Sequence, residues 1–142
     1  MNKKRKSLDV SEKERIVEKI CLFLERQGDE IVVGYLFGSF NTAERFSDID
    51  LAVLVKHHEK NPVDFEIDLE TQLEKVVGYR VDVRILNGAP LSFCQSVIRS
   101  GRVILDRNPN MRADFQGRIL KEYFDFFPFR KRYLNEVVNA PV

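Results

Sequence analysis

Two short apolar runs, Ile31–Phe37 and Ile49–Val55, constrain the fold of this chain more than any other feature. Each has the length and the apolar composition of a buried β-strand. The second run nevertheless contains Asp50, and Asp48 stands just before it. A buried ionised carboxylate is costly unless it is paired or holds a metal. The two aspartates therefore indicate that something compensates their charge where the second strand begins.

Helical and strand patterns alternate around these two runs. We predict helices over residues 11–27, 63–77, 90–100 and from Met111 onward, and further strands over 80–86 and 102–105. The capping-box pattern Ser11-x-x-Glu14 predicts the start of the first helix, while Gly28 and Gly78 are typical of helix ends. The polar connection 40–47 has room for one helical turn. The pattern predicts an α/β or α+β domain with a single sheet flanked by helices. Because the span between the first two strands is short, we expect a mixed sheet.

Composition limits the class of protein. The chain has 142 residues, 44% of them hydrophobic and 32% charged, which is typical of one soluble globular domain over residues 1–142. The net charge of +1 argues neither for nor against nucleic acid. Cys21 and Cys94 lie in apolar segments and predict small core residues in a reducing compartment. No apolar run reaches the roughly 18 residues of a membrane span, so we expect a cytoplasmic protein.

The two ends of the chain have distinct patterns. Residues 1–10 begin with four consecutive basic residues at 3–6, which predict either a flexible solvated tail or an arm that contacts phosphate or an acidic partner. Residues 111–139 form an aromatic-rich helical segment. Its first apolar face comprises Phe115, Ile119, Tyr123, Phe126 and Phe127, and its second comprises Leu120, Phe124 and Phe129. These faces either cover the sheet or stay partly exposed to dock a partner, and both can hold for different turns.

Three carboxylates are candidates for one site. Side chains at i and i+2 of a strand project to the same face, so Asp48 and Asp50 are expected to point the same way. Asp82 interrupts a later strand, "RVDVRIL". If the two strands are neighbours, the three carboxylates converge, and hard divalent cations such as Mg²⁺ prefer such oxygen ligands. The alternative is a surface-paired acidic cluster without function.

Gly38-Ser39 closes the first strand. Glycine lets the backbone approach a ligand closely, and a serine hydroxyl with free backbone N–H groups suits a phosphate. A phosphate site beside a metal site indicates phosphoryl or nucleotidyl transfer to a hydroxyl, in which two metals activate the attacking oxygen and stabilise the pyrophosphate.

These residues are similar to a known family signature. "LFGSF...SDIDLAVL" resembles the minimal nucleotidyltransferases of the DNA polymerase beta-like superfamily, whose signature is Gly-Ser, a spacer, Asp-x-Asp and a third aspartate on a later strand. The segments "RVDVRILNGAPLSFCQSVIRSGRVILDRN" and "RADFQGRILKEYFDFFPFRKRY" resemble the antitoxin branch, the MntA-like adenylyltransferases paired with HEPN toxins. The resemblance covers roughly residues 31–134.

The resemblance implies a role for each candidate. Gly38 and Ser39 would bind the nucleotide phosphates. Asp48, Asp50 and Asp82 would bind Mg²⁺, and Asp82 would also help to activate the acceptor hydroxyl. The branch implies transfer of AMP from ATP to a tyrosine hydroxyl of a partner HEPN-type toxin, which silences its RNase activity. It implies neither a membrane nor a nucleic acid as partner.

Two departures from the family pattern stand out. The usual Gly-Ser segment continues Ala-Arg-Gly, whereas here residues 40–43 read Phe-Asn-Thr-Ala. The spacer, residues 40–47, is also shorter than the common form, and Arg45 is one candidate replacement for the missing arginine. His57 and His58 predict a polar loop or a nucleotide contact. Because no Arg-x4-His nuclease pattern occurs, we expect the modifier and not the toxin.

Two rival hypotheses remain open. The first keeps the chemistry but uses a small molecule, such as an aminoglycoside, or an RNA 3′ end as acceptor. The second, motivated by the altered Gly-Ser segment, is a degenerate domain that inhibits its partner by binding alone.

Overall fold

The computed structural model describes residues 6–43, 45–57 and 61–139, with the backbone alone at 6–7 and 127–139. The helices are α1 (Val10–Glu25), α2 (Ser39–Thr42), α3 (Pro62–Val77), α4 (Leu91–Ser100) and α5 (Pro109–Asn139). The strands are β1 (Lys6–Ser7), β2 (Ile31–Phe37), β3 (Arg45–Phe46), β4 (Ile49–Val55), β5 (Val81–Ile85) and β6 (Arg102–Asp106). The remaining basic residues at 3–5 lie outside the described residues.

The main sheet has the strand order β5-β4-β2-β6. Strand β2 pairs antiparallel with both β4 and β6, whereas β4 and β5 run parallel. The predicted mixed sheet flanked by helices is therefore confirmed. A separate antiparallel pair, β1 with β3, was not predicted, because two-residue strands carry too little periodicity to detect.

Helices cover both faces of this sheet, so its central strands are apolar on both sides. One core contains fully buried residues of α1, α3, β4 and β5, such as Ile20, Leu73 and Leu51. The other lies under α4 and α5 and contains Tyr35 and Cys94. Both cysteines are free, as a core role requires; Cys21 is half-buried and packs against the first core.

The start of α1 differs from the prediction. Asp9, and not Ser11, caps the helix, since its side chain accepts a hydrogen bond from the backbone N–H of Glu12 at 2.8 Å. Glu14 instead accepts two hydrogen bonds from the guanidinium of Arg102, at 2.7 and 3.1 Å. The helix begins one residue earlier than predicted and ends at Glu25, because an aspartate was available as the cap.

The edge strand β5 is shielded by three glutamates of α3. Its outward amides donate hydrogen bonds as follows: Val81 to Glu74 at 3.2 Å, Val83 to Glu70 at 3.0 Å, and Ile85 to Glu66 at 2.9 Å. Glutamates four residues apart lie on one helix face and match every second residue of a strand. The carboxylates satisfy amides that would otherwise offer an open sheet edge.

Within the described segments, no helix is both long enough and apolar enough to cross a membrane.

Candidate active site

Two of the predicted carboxylates lie side by side. Asp50 on β4 and Asp82 on β5 are register partners across the parallel pair, so their side chains leave the same face of the sheet. Both residues are half-buried. Arg84 follows on the same face, with its Nε 3.7 Å from Oδ1 of Asp82. The expected adjacency of the two strands is therefore present, and it brings two acidic groups together at one position of the sheet.

Gly38 lies against Asp50 at the end of β2. Its φ of 74° and ψ of −163° define a backbone conformation open essentially to glycine alone. A Cβ atom at this position would lie 2.1 Å from Oδ2 of Asp50. The glycine therefore allows close approach of the turn to the carboxylate, in addition to the close approach to a ligand that its sequence position predicts.

Ser39 begins the single helical turn α2, which starts one residue before the connection 40–47 where one turn was expected. The carbonyl oxygen of Gly38 accepts hydrogen bonds from the backbone N–H of Asn41 at 3.2 Å and from that of Thr42 at 3.3 Å. It also accepts one from the Thr42 hydroxyl at 3.1 Å. These bonds hold Ser39, which is half-buried, next to the glycine that contacts Asp50.

Asp48 is placed differently from the other two carboxylates. It is half-buried and lies in the bend before β4, which begins at Ile49. Strand alternation therefore does not set its direction relative to Asp50. In the described part of the chain, no group of three His, Cys, Asp or Glu side chains is arranged to hold a metal. The convergence of all three carboxylates stays a prediction.

The donor chemistry nevertheless fits a divalent cation. Asp50 and Asp82 present carboxylate oxygens, the ligands that Mg²⁺ prefers, from neighbouring strands. Asp48 is two residues away along the chain and can contribute a further carboxylate. If Mg²⁺ binds here, the pair would hold part of its coordination sphere.

A cavity of about 470 Å³ opens beside Asp82. Its charged lining residues are Glu66, Asp82 and Arg84. Phe37 and Phe93 also line it, and their rings meet edge to face with centroids 5.5 Å apart. Sequence reasoning did not predict Arg84 or Phe93 as site residues. Arg84 stands two residues after Asp82 on the same strand, so the two side chains share one face. This i, i+2 spacing could have identified Arg84 from the sequence.

The acidic group extends to helix α3. Burial raises the pKa of Glu70, the negative charge of Asp82 acts in the same direction, and the hydrogen bond from the backbone N–H of Val83 acts against both. Negative charge is therefore concentrated at this edge of the sheet, with Arg84 as a nearby cation. An excess of negative charge of this kind favours the approach of cations.

Other residues singled out in the sequence lie apart or outside the described structure. Arg45 is exposed on β3, opposite Ser7 of β1, and its proposed role stays a prediction. His57 is exposed after β4, and His58 lies outside the described residues. The aromatic faces of α5 divide by turn: Phe115 and Ile119 are buried, whereas Phe124 and Phe126 are 63% and 52% exposed. The side chains of Phe127 and Phe129 lie outside the described ones.

A mixed sheet that sets a Gly-Ser turn against paired carboxylates is typical of nucleotidyltransferases. The sequence profile of the family described as "Polymerase beta, Nucleotidyltransferase" matches residues 18–110. The chain belongs to this family and is a nucleotidyltransferase. The predicted resemblance is thereby confirmed.

Several solved structures of toxin–antitoxin complexes contain a similar fold. The fold is similar to that of the MNT antitoxin in complex with the tri-AMPylated HEPN toxin of Shewanella oneidensis, with a TM-score of 0.70, 24% identity, and coverage of 89% of this chain and 98% of that chain. A toxin–antitoxin structure with AMP-PNP gives a TM-score of 0.71 at 26% identity, covering 86% and 98%. The MntA–HepT complex gives 0.69 at 23% identity, covering 88% and 98%. Curated protein sequences give no match.

Proposed function

We propose that this chain is an antitoxin that transfers AMP from ATP to a tyrosine hydroxyl of a HEPN-type toxin. The observation that carries the proposal is the contact of Gly38 with Asp50, which in turn is the register partner of Asp82. The similar structures add support, because one is a complex with a tri-AMPylated HEPN toxin and another was determined with AMP-PNP.

Each site residue has a proposed role in this reaction. Gly38 and Ser39 hold the nucleotide phosphates, and Asp48, Asp50 and Asp82 bind the cation. Mg²⁺, when bound, would neutralise charge on the triphosphate and on the departing pyrophosphate. The tyrosine oxygen forms a bond to the α-phosphorus of ATP while the bond from that phosphorus to pyrophosphate breaks. Asp82 accepts the proton that the tyrosine hydroxyl loses. Asp50 and Asp82 are half-buried register partners, which is consistent with one site that binds the cation and accepts the proton.

The partner would dock on the outer part of α5. Phe124 and Phe126 expose large aromatic surface there, while Phe115 and Ile119 anchor the same helix in the core. Exposed apolar patches of this kind mark interaction sites. We also propose that residues 1–142 act as one minimal nucleotidyltransferase domain in the cytoplasm.

The test uses ATP labelled at the α-phosphate, with a HEPN-type toxin and the products of the genes that neighbour this chain's gene as acceptors. We expect label on the partner with the wild-type chain, and a loss of at least about a thousandfold in rate with Asp50→Asn combined with Asp82→Asn, because both cation ligands are removed. A matched control is Asp114→Asn, an exposed carboxylate on α5. Labelling that survives the double change refutes the assigned mechanism.

The same reagents separate the rival hypotheses. If label appears only on small molecules or RNA, the proposed toxin acceptor is wrong, but the chain is still a nucleotidyltransferase that uses ATP. If no label appears on any acceptor, and the double variant neutralises the toxin as well as the wild type does, the chain acts by binding alone.

A further inference from the structure

Lys13 of helix α1 contacts the far end of the Gly-Ser turn, which we define as residues 38–43. Its Nζ donates hydrogen bonds to the carbonyl oxygen of Ala43 at 2.6 Å and to that of Phe40 at 3.2 Å. Hydrogen bonds from an ammonium group are shorter and stronger than those between neutral groups. The turn is therefore tied to a helix that lies outside the sequence motif.

Aromatic packing holds this lysine in place. Nζ lies 5.4 Å from the ring centroid of Phe40 and 5.7 Å from that of Phe46, within the range of cation–π attraction. The two rings meet edge to face at 4.8 Å, and both side chains are fully buried. Phe40 belongs to the turn itself, so the same rings that receive the lysine also seat the turn on the core.

The near end of the turn is restrained by a different contact. Gly38 lies so close to Asp50 that no side chain fits between them. Along the chain, Ser39 therefore follows the glycine that contacts Asp50 and precedes the carbonyl groups that Lys13 binds. A shift at the far end must move Ser39 relative to Asp50, because the intervening residues form one hydrogen-bonded helical turn.

We propose that Lys13 is a positioning residue for nucleotide binding, which sets the distance of the Gly-Ser turn from the carboxylates. This inference rests on the proposed transfer of AMP from ATP. Lys13 acts through the turn, since its ammonium group contacts main-chain carbonyl oxygens of that turn.

The test compares Lys13→Met, which keeps the aliphatic stem but removes both hydrogen bonds, with Lys13→Arg, which keeps a cationic donor. Lys19→Met is the matched control, because Lys19 is exposed on the same helix. We measure the Kd for ATP with Mg²⁺ by calorimetric titration, the KM for ATP and for the partner protein, and the unfolding temperature.

For Lys13→Met we expect the Kd and KM for ATP to rise about tenfold, because a small displacement of a phosphate-binding group weakens binding strongly. The KM for the partner should stay within twofold. Lys13→Arg should recover at least half of the affinity, and the Lys19 control should match the wild type. All titrations are made well below the lowest unfolding temperature. If Lys13→Met does not fold, Lys13→Gln replaces it, because the neutral amide removes the positive charge and is shorter than the lysine side chain.

The outcomes are distinguishable. An unchanged ATP affinity in a folded but less stable Lys13→Met protein overturns the inference and leaves the proposed function intact. A wild-type chain that binds ATP but modifies no acceptor refutes the proposed function, while the titration still tests the lysine. A wild-type chain that binds no ATP overturns both.

Discussion

Replacing Gly38 by alanine tests the closest contact of the candidate site. The new methyl group would lie 2.1 Å from Oδ2 of Asp50, a distance that real Cβ atoms essentially never show, and 3.0 Å from Cγ, which is tighter than most real contacts. The backbone conformation, φ 74° and ψ −163°, adds a second penalty that does not depend on the contact. The substitution therefore strains the turn and displaces the carboxylate at once.

Each penalty has an estimated size. A non-glycine residue in this region of φ/ψ space costs about 1–3 kcal/mol. Forcing the Asp50 side chain off its rotamer adds roughly 0.5–1.5 kcal/mol. We expect Gly38→Ala to lower the free energy of unfolding by about 2–4 kcal/mol and to abolish the proposed AMP transfer, because Asp50 leaves its position beside Asp82.

Gly78→Ala is the matched control for strain alone. Gly78 also has a positive φ, 77°, but nothing lies within 4 Å of its would-be methyl group. We expect it to cost roughly 1–2 kcal/mol, the usual penalty of a left-handed alanine, and to leave AMP transfer unchanged. Urea unfolding followed by circular dichroism measures both variants.

A double-mutant cycle isolates the contact. In an Asp50→Ala background the two nearest atoms are gone and only the Cβ at 3.3 Å remains. The cost of Gly38→Ala should then fall by about 1 kcal/mol or more, as expected for directly contacting residues. A coupling free energy below roughly 0.5 kcal/mol, the error of additivity, refutes the argument that the glycine is required by this carboxylate.

Two further predictions concern the rest of the fold. Burial raises the pKa of Tyr35, which outweighs the hydrogen bond from Gln116. The neutral Tyr35 hydroxyl stabilises the fold below the ordinary tyrosine pKa of about 10, and this contribution is lost as the pH rises through the raised pKa. Tyr35→Phe should therefore flatten the decline at alkaline pH of the free energy of unfolding, measured in urea. Parallel pH curves for the variant and the wild type contradict this. Glu74→Ala removes the acceptor of the Val81 amide and should cost about 1 kcal/mol in urea unfolding. Glu74→Gln, which keeps an acceptor oxygen, should cost less than half as much, and equal losses would refute a role for this hydrogen bond.

The candidate site divides into a part that local sequence could predict and a part that it could not. Gly38, Ser39 and Asp50 stand at the ends of two strongly apolar runs, and the strands were found at the predicted bounds, Ile31–Phe37 and Ile49–Val55. Asp82 was also predicted on a strand, which the structure gives as Val81–Ile85. Apolar runs with strand length are reliable because burial on both faces leaves a direct trace in composition.

Contacts between distant segments could not be predicted in the same way. Lys13 lies on α1, far from the turn in sequence. Nothing in the neighbouring sequence indicates that it donates hydrogen bonds to two carbonyl groups of the turn. The cap of α1 was misassigned because Asp9 and Ser11 are both good N-caps, and the choice depends on where Glu14 finds its partner, Arg102. These choices are made by packing.

The sequence by itself determined which residues form the four strands of the main sheet and which polar groups interrupt them, because period and burial are local properties. Only the tertiary structure decided that β5 lies beside β4 in parallel, which aligns Asp82 with Asp50, while Asp48 falls in the bend before the strand. Strand order is set by the total packing of helices on both faces, and no short stretch of the chain contains that information.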